Sequence, residues 1–401
     1  MTREDITFAW LKLGWNTAST NGRSAAQCID DLHGIIAPLS VSITSEELIS
    51  AISFVWSVAF SGGALLNNND LITGSSIRPM AAELSENWAI LNEAITQVSE
   101  ALYERGLLFR EHYFSVNAIA FLWAWLFLAL RWRDGQSFNT LEKDSFAKQV
   151  QGIVESFVER WLLCSTWAGV WAASSGQTLS RLALRLSECG HELSSSTSRA
   201  NAIDALRRTF EDVVHGLESD AITGINNMSA DDRNAVRTYY AALWLWNRLD
   251  CSRWGKAKIV LRPQLRAASH IEVDHVVSWK LWELKVAARG KHDDAPTSAD
   301  SSAGEVQGLC NELGNCMLLE KNFNISKGAE PLIRFLSEVH EFATREQRIT
   351  EWGAAMALDQ RQIDSTASSV VELSALFVER TKVIKDDLIA FCRGSLKRVD
   401  I

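Results

Sequence analysis

The chain has 401 residues, a formal net charge of −9, 47% apolar residues, five prolines and 22 glycines. That length exceeds the roughly 100 to 200 residues of one domain and implies two, while so little proline and glycine excludes a many-turned sandwich in favour of long helices joined by short connections. Seven cysteines without a Cys-x-x-Cys pair exclude a secreted disulfide scaffold and a zinc ribbon, and the opening Met1-Thr2-Arg3-Glu4-Asp5 has no basic, apolar leader, so a cytoplasmic protein is expected.

Helices follow one another to about residue 250. Thr44 and Glu47 form a capping box ahead of Leu48, Ile52, Val55 and Trp56, with Gly62-Gly63 as the stop. Trp88, Leu91, Ile95, Val98 and Leu102 make an apolar stripe ending at Gly106. Ala118 to Leu130, thirteen residues, is the most apolar stretch. It is too short to span a bilayer and reads as a buried helix, so no membrane association is expected. Phe146, Val150, Ile153, Val154, Phe157 and Trp161 form another stripe, and Ile203, Leu206, Phe210, Val213 and Leu217 a third, with His191 to Ser198 as a loop between them. Tyr239, Tyr240, Leu243, Trp244 and Trp246 close the region with an aromatic helix. Most of the 16 tryptophans are expected to pack inside helices, where an indole supplies large apolar area and needs one hydrogen-bond partner.

The helical pattern yields near Cys251 to Lys256, which sets domains at 1–254 and 255–401. Strand-like runs are Ala257 to Leu261, Ile271 to Val277 and the stretch after Gly314. Trp279 to Ala288 reads as a short helix, Gly290 to Gly304 as a mobile insertion, Pro331 as the first turn of a helix, and Val370 to Leu396 as a long closing helix. The expected fold class is mainly α: a large N-terminal helical domain, then a small α+β domain with C-terminal helices.

The chemistry sits in the second domain. One apolar run carries Asp274-His275, a second follows Gly314-Asn315, and Asn324 comes nine residues later with Lys327 one helical turn beyond. Phosphodiester hydrolysis needs a deprotonated water, a cation against the phosphoryl oxygens and support for the leaving oxygen. A neutral His275 suits the first. Mg²⁺, or Mn²⁺, takes oxygen ligands and keeps several waters, so Asp274 and the Asn324 amide suit the second. The candidate catalytic residues are His275, Asn315 and Asn324, with Asn315 bracing the loop that carries His275. Lys327, Lys321 and Lys280 are candidate phosphate contacts. No cofactor besides the metal is expected. Cys310 and Cys316 flank Asn315 but lack further ligands at metal spacing, and they read as small buried thiols.

At these positions the sequence resembles the His-Asn-Asn version of the HNH, or ββα-metal, nucleases. Leu313-Gly314-Asn315-Cys316-Met317-Leu318-Leu319 is similar to the Gly-Asn-x-x-Leu-Leu signature of the nuclease half of GmrSD-type enzymes, which restrict DNA carrying modified bases. The nuclease resemblance covers about residues 255 to 345, and a weaker one to the helical middle of the same proteins covers much of 80 to 250. Ser278 stands where that family usually has Pro. The resemblance implies a Mg²⁺-dependent DNA endonuclease subunit of an antiviral restriction system. Because no Gly-x-x-x-x-Gly-Lys-Ser/Thr loop occurs in the helical part, it also implies a separately encoded ParB-like nucleotidase partner, met partly by aromatic helix faces. Arg253, Lys256, Lys258, Arg262, Arg266, Lys280, Lys285, Arg289 and Lys291 oppose only Glu272, Asp274 and Glu283, a local basic surface suited to phosphate despite the acidic whole. A stand-alone HNH nuclease and a non-catalytic scaffold subunit are the competing readings.

Overall fold

The computed structural model describes residues 3–39, 43–66, 75–105, 107, 114–171, 175–228, 235–249, 271–290, 299–320, 327–338, 353 and 356–395. The protein is mainly helical, and among the described residues it has one sheet, of two strands. Its contacts divide it into two compact units, 1–221 and 222–401.

The first unit contains α1 (Arg3–Gly14), α2 (Ala25–Ile36), α3 (Ser45–Phe60), α4 (Ile77–Glu86), α5 (Trp88–Glu104), α6 (Val116–Asp134), α7 (Thr140–Trp167), α8 (Ser175–Ser195) and α9 (Arg199–Gly216); α10 (Glu218–Asn226) spans the division. Helix α3 begins as its sequence dictates, with Thr44 and Glu47 satisfying each other's backbone donors. Every residue of α6 from Ala118 to Leu130 is buried, because α3, α5, α7, α8 and α9 all pack on it. A helix with no polar face must be covered all round. Two indoles stitch it in place: Trp161 Nε1 donates to the Ala118 carbonyl at 2.7 Å and Trp125 Nε1 to the Leu206 carbonyl at 3.1 Å. No helix among the described residues is long and apolar enough to cross a membrane.

Two local expectations need correction here. Of the expected loop from His191 to Ser198, only Ser196 to Ser198 connect helices, since α8 continues to Ser195 with Leu193 buried. Its last serines do not break the helix because the Ser194 and Ser195 hydroxyls turn back onto the carbonyls of Gly190 (2.9 Å) and Glu192 (2.9 Å). In α9 the buried stripe is Ala202, Ala205, Leu206, Thr209, Phe210 and Val214, rotated so that Ile203, Val213 and Leu217 are only half-buried.

The second unit contains α11 (Ala235–Leu249), β1 (Ile271–His275), α12 (Trp279–Gly290), α13 (Ala299–Cys310), β2 (Cys316–Glu320), α14 (Leu332–Glu338), α15 (Gln360–Ile363) and α16 (Val370–Cys392). The strands pair antiparallel, with His275 opposite Cys316 and Ile271 opposite Glu320. Of the expected insertion Gly290 to Gly304, Gly290 ends α12 and Ala299 to Gly304 belong to α13, while 291–298, like Cys251 to His270 with the expected domain border and the Ala257 to Leu261 strand, lie outside the described residues. The core joins Val276, Val277 and Trp282 to Leu332, Phe335 and Leu336 of α14 and to Val370, Leu373 and Phe377 of α16. Pro331 caps α14, its carbonyl accepting from Arg334 N at 3.0 Å.

Helix α11 packs on both strands and on α16. Tyr239, Tyr240, Leu243, Trp244 and Trp246, the expected aromatic helix, are buried. Trp246 Nε1 donates to the Asp387 carboxylate of α16 at 3.0 Å. Lys385, also on α16, gives its ammonium to the Asn226 and Met228 carbonyls, both at 2.9 Å, capping the end of α10.

Candidate active site

The strand register sets the site. Because His275 pairs with Cys316, the end of β1 lies against the turn Leu313–Asn315 that leads into β2. Asn315 is fully buried there. Its Oδ1 accepts from Val277 N at 2.9 Å, and its Nδ2 donates to the Val277 carbonyl at 3.0 Å and the Cys310 carbonyl at 2.9 Å. Its own carbonyl accepts from Val276 N at 2.7 Å. One side chain therefore holds both the N–H and the carbonyl of Val277, two residues past His275.

Ser278 explains how the loop manages without proline. It stands at the N-cap of α12, where its carbonyl accepts from Trp282 N at 3.1 Å and its hydroxyl from Leu281 N at 3.4 Å. The hydroxyl also donates to the Ala329 carbonyl at 3.3 Å, tying the loop to the segment that follows β2. A serine here supplies by hydrogen bonding part of the fixation that a proline ring supplies by restricting φ.

Asp274 and His275 are both largely withdrawn from solvent, and they interact electrostatically. Nε2 of His275 is buried and makes no hydrogen bond. Burial lowers the imidazole pKa below its ordinary 6.5; the Asp274 carboxylate opposes this, the Lys327 ammonium reinforces it, and a hydrogen bond with the Asn311 side chain opposes it. The ring is thus neutral at pH 7, the form that can accept a proton. Asn311 escaped the sequence reading because an Asn four residues ahead of the Gly-Asn turn carries no pattern of its own.

Lys327 differs most from expectation. Its side chain is fully buried, its Nζ 2.8 Å from Asp274 Oδ2 and 2.7 Å from the His275 carbonyl oxygen. The Asp274 contact is an ion pair that lacks hydrogen-bond alignment. A buried ammonium requires an anionic or carbonyl partner, and the nearest ones are internal, so Lys327 faces Asp274 and not the solvent from which a phosphate would come.

Of the other candidate contacts, Lys280 is exposed on α12 and available. Lys321 and Asn324 lie outside the described residues, as do Arg253, Lys256, Lys258, Arg262, Arg266 and Lys291. Two members of the expected basic surface are engaged otherwise: Lys285 caps the Thr366 and Ser368 carbonyls at 3.3 and 2.6 Å, and Arg289 pairs with Glu305 at 2.6 Å. Cys310 and Cys316 are buried free thiols, Cys310 pushed up to about 12 by burial and by Asp274. Among the described residues no three His, Cys, Asp or Glu side chains cluster as a metal cage. What they offer a cation is one oxygen donor group, the Asp274 carboxylate, and it is already paired with the Lys327 ammonium.

No family model matches the chain, and no match is found among curated proteins or solved structures.

Proposed function

We propose that the second unit is a divalent-metal-dependent DNA endonuclease in which His275 activates the attacking water. The observation that carries this is His275 Nε2, buried, without a hydrogen bond and on a neutral ring, at the end of the strand that carries Asp274 and just ahead of the Val277 backbone held by Asn315. A buried polar atom left without a protein partner costs stability, and this nitrogen keeps its lone pair free to accept a proton from a bound water. Asp274, with Asn324, would hold Mg²⁺ or Mn²⁺, which when bound supplies Lewis-acid stabilisation of the phosphoryl and leaving oxygens. Toward that chemistry Asn315 keeps the His275 loop in register and His275 accepts the water proton. Lys327 neutralises Asp274 in the metal-free state. Lys280, exposed on α12, would contact a phosphate.

The finer reading, the nuclease subunit of a GmrSD-like restriction system acting with a ParB-like nucleotidase on modified phage DNA, rests on the sequence resemblance. A second reading, a nuclease that acts without such a partner, is favoured by α11, whose aromatic rings are spent on internal packing. Challenging cells that express the chain with and without the nucleotidase, using phages with plain or glucosylated cytosines, separates the two. Full protection by the chain alone favours the second.

The nuclease reading itself is tested by incubating plasmid DNA with the purified chain and Mg²⁺ or Mn²⁺, with chelator as control. The expected result is metal-dependent cutting that His275→Ala lowers by about 10²- to 10⁴-fold, the usual effect of removing a general base, without change in melting behaviour. Wild-type cutting by His275→Ala refutes the assignment.

A further inference from the structure

We infer that Arg380, with its neighbour Thr381 on α16, is a positioning residue for the proposed nuclease site, acting through the turn that carries Asn315; the inference rests on that nuclease reading for its catalytic consequence. Arg380 is 2% exposed. Its Nη1 donates to the Gly314 carbonyl and, at 2.8 Å, to the Cys316 carbonyl, the two that flank Asn315. Its Nε donates to the Met356 carbonyl at 3.0 Å, and the guanidinium lies 5.3 Å over the Trp246 ring of α11. A planar guanidinium held in this way fixes the peptide plane that enters Asn315 and the one that leaves Cys316, and so limits the directions in which the Asn315 amide can point.

Thr381 completes the grip from the same helical turn. Its hydroxyl accepts from Gly314 N at 2.8 Å and donates to the Glu312 carboxylate. Glu312 in turn offers its carbonyl to Asn315 N at 2.8 Å. Contact with α16 is so close that a Cβ on Gly314 would stand 1.9 Å from the Phe377 carbonyl oxygen. The glycine of the Gly-Asn pair is therefore required by the backbone of a helix more than fifty residues later in the chain. Force passes in one line: α16 fixes the turn, the turn fixes the Asn315 amide, the amide fixes Val277, and Val277 follows His275 by two residues. A sub-ångström displacement at the first link moves the imidazole, and reaction rates respond steeply to such misplacement.

The test uses the full chain, with Arg380→Met, Arg380→Lys and Thr381→Val. Steady-state cleavage of DNA in Mg²⁺ is measured below the melting range of all variants, with hydrogen exchange followed in peptides covering Val276 and Val277. Arg380→Met is expected to lower kcat by about 10- to 100-fold, the effect typical of residues that orient catalytic groups, with KM unchanged and with faster exchange at Val277. Arg380→Lys should restore part of kcat, because an ammonium still reaches the flanking carbonyls. Thr381→Val, which keeps the side-chain shape, should move both readouts the same way by less, and it decides the matter if Arg380→Met does not fold. Folded variants with wild-type kcat and wild-type exchange overturn the inference, as does a lowered melting temperature with kcat intact. If the wild type cuts no DNA under any divalent metal, the nuclease reading falls, while the exchange data still decide whether α16 controls the His275 loop.

Discussion

Asn315→Asp changes one edge of a fully buried side chain and leaves its shape alone. The oxygen that accepts from Val277 N is kept, but the nitrogen that donates to the Val277 and Cys310 carbonyls becomes a second acceptor, aimed at two oxygens 3.0 and 2.9 Å away. In a site without water that carboxyl is driven to stay protonated, so its pKa in the folded chain rises above the roughly 3.9 of an unfolded Asp. The folded state then binds more protons than the unfolded state above that value. Stability relative to wild type therefore falls as pH rises, by up to about 1.4 kcal/mol per pH unit until the folded pKa is passed. From about pH 5 to about pH 7 the added loss is about 2 to 3 kcal/mol on this slope. At the acid end the protonated group still serves only one of the two carbonyls, which leaves a loss of about 1 kcal/mol. Asn315→Ala strands the same backbone groups, at about 1 to 3 kcal/mol each, but introduces nothing that titrates. Urea unfolding of both variants and wild type at the two pH values, with hydrogen exchange over 271–282 to localise the effect, measures this. An Asn315→Asp penalty that is the same at both pH values means that the amide does not sit in a dry fork between two carbonyls, and the bracing argument fails with it.

Much of the fold is legible because local rules and burial agree. Thr44 and Glu47 announce α3, the 3.6-residue stripes announce α5 and α7, and the unbroken apolar run of α6 announces a helix covered on every side. The polar run at the end of α8 misleads because serine is a helix breaker only when its hydroxyl competes for backbone bonds outside the helix, and here those hydroxyls bond within it. The order of Asp274-His275, Gly314-Asn315 and Lys327 is enough to place these residues around one strand pair. What each touches is not. Lys327 has the spacing of a phosphate ligand, yet a buried ammonium takes the nearest anion, and that anion is Asp274. Arg380 is invisible in sequence because an arginine between Glu379 and Thr381-Lys382 on a long helix reads as a surface residue, whereas its three carbonyl acceptors come from parts of the chain that only the fold assembles. Helix α11 shows the same limit: periodicity tells which face is apolar, not which element covers it.

Gly314→Ala should cost about 1 to 3 kcal/mol from overpacking against Phe377, and about 1 kcal/mol more for each Arg380 or Thr381 bond that the shift weakens; urea unfolding within about 0.5 kcal/mol of wild type, the range of an ordinary surface change, contradicts the close approach. Because burial lowers the His275 pKa, the base form persists below the ordinary value, so single-turnover cleavage should lose rate only as pH falls beneath about 6.5. An acid limb centred at or above that point argues against His275 as the base. Lys327→Met removes the fully buried ammonium that faces Asp274 and leaves its carboxylate, 11% exposed, without a counter-charge. Breaking a buried pair from one side costs about 3 to 5 kcal/mol, and here a bond to the His275 carbonyl is lost as well. A divalent cation that binds Asp274 should relieve that charge directly. Binding at about a hundred times Kd stabilises a fold by about 2.7 kcal/mol, and in wild type part of that gain is spent in displacing the ammonium. Mn²⁺ should therefore raise the melting temperature of Lys327→Met more than that of wild type, and adding Asp274→Asn to the variant should abolish the difference. Equal Mn²⁺ shifts in wild type and Lys327→Met would mean that the cation does not compete for Asp274, and that the metal, if the chain uses one, is held elsewhere.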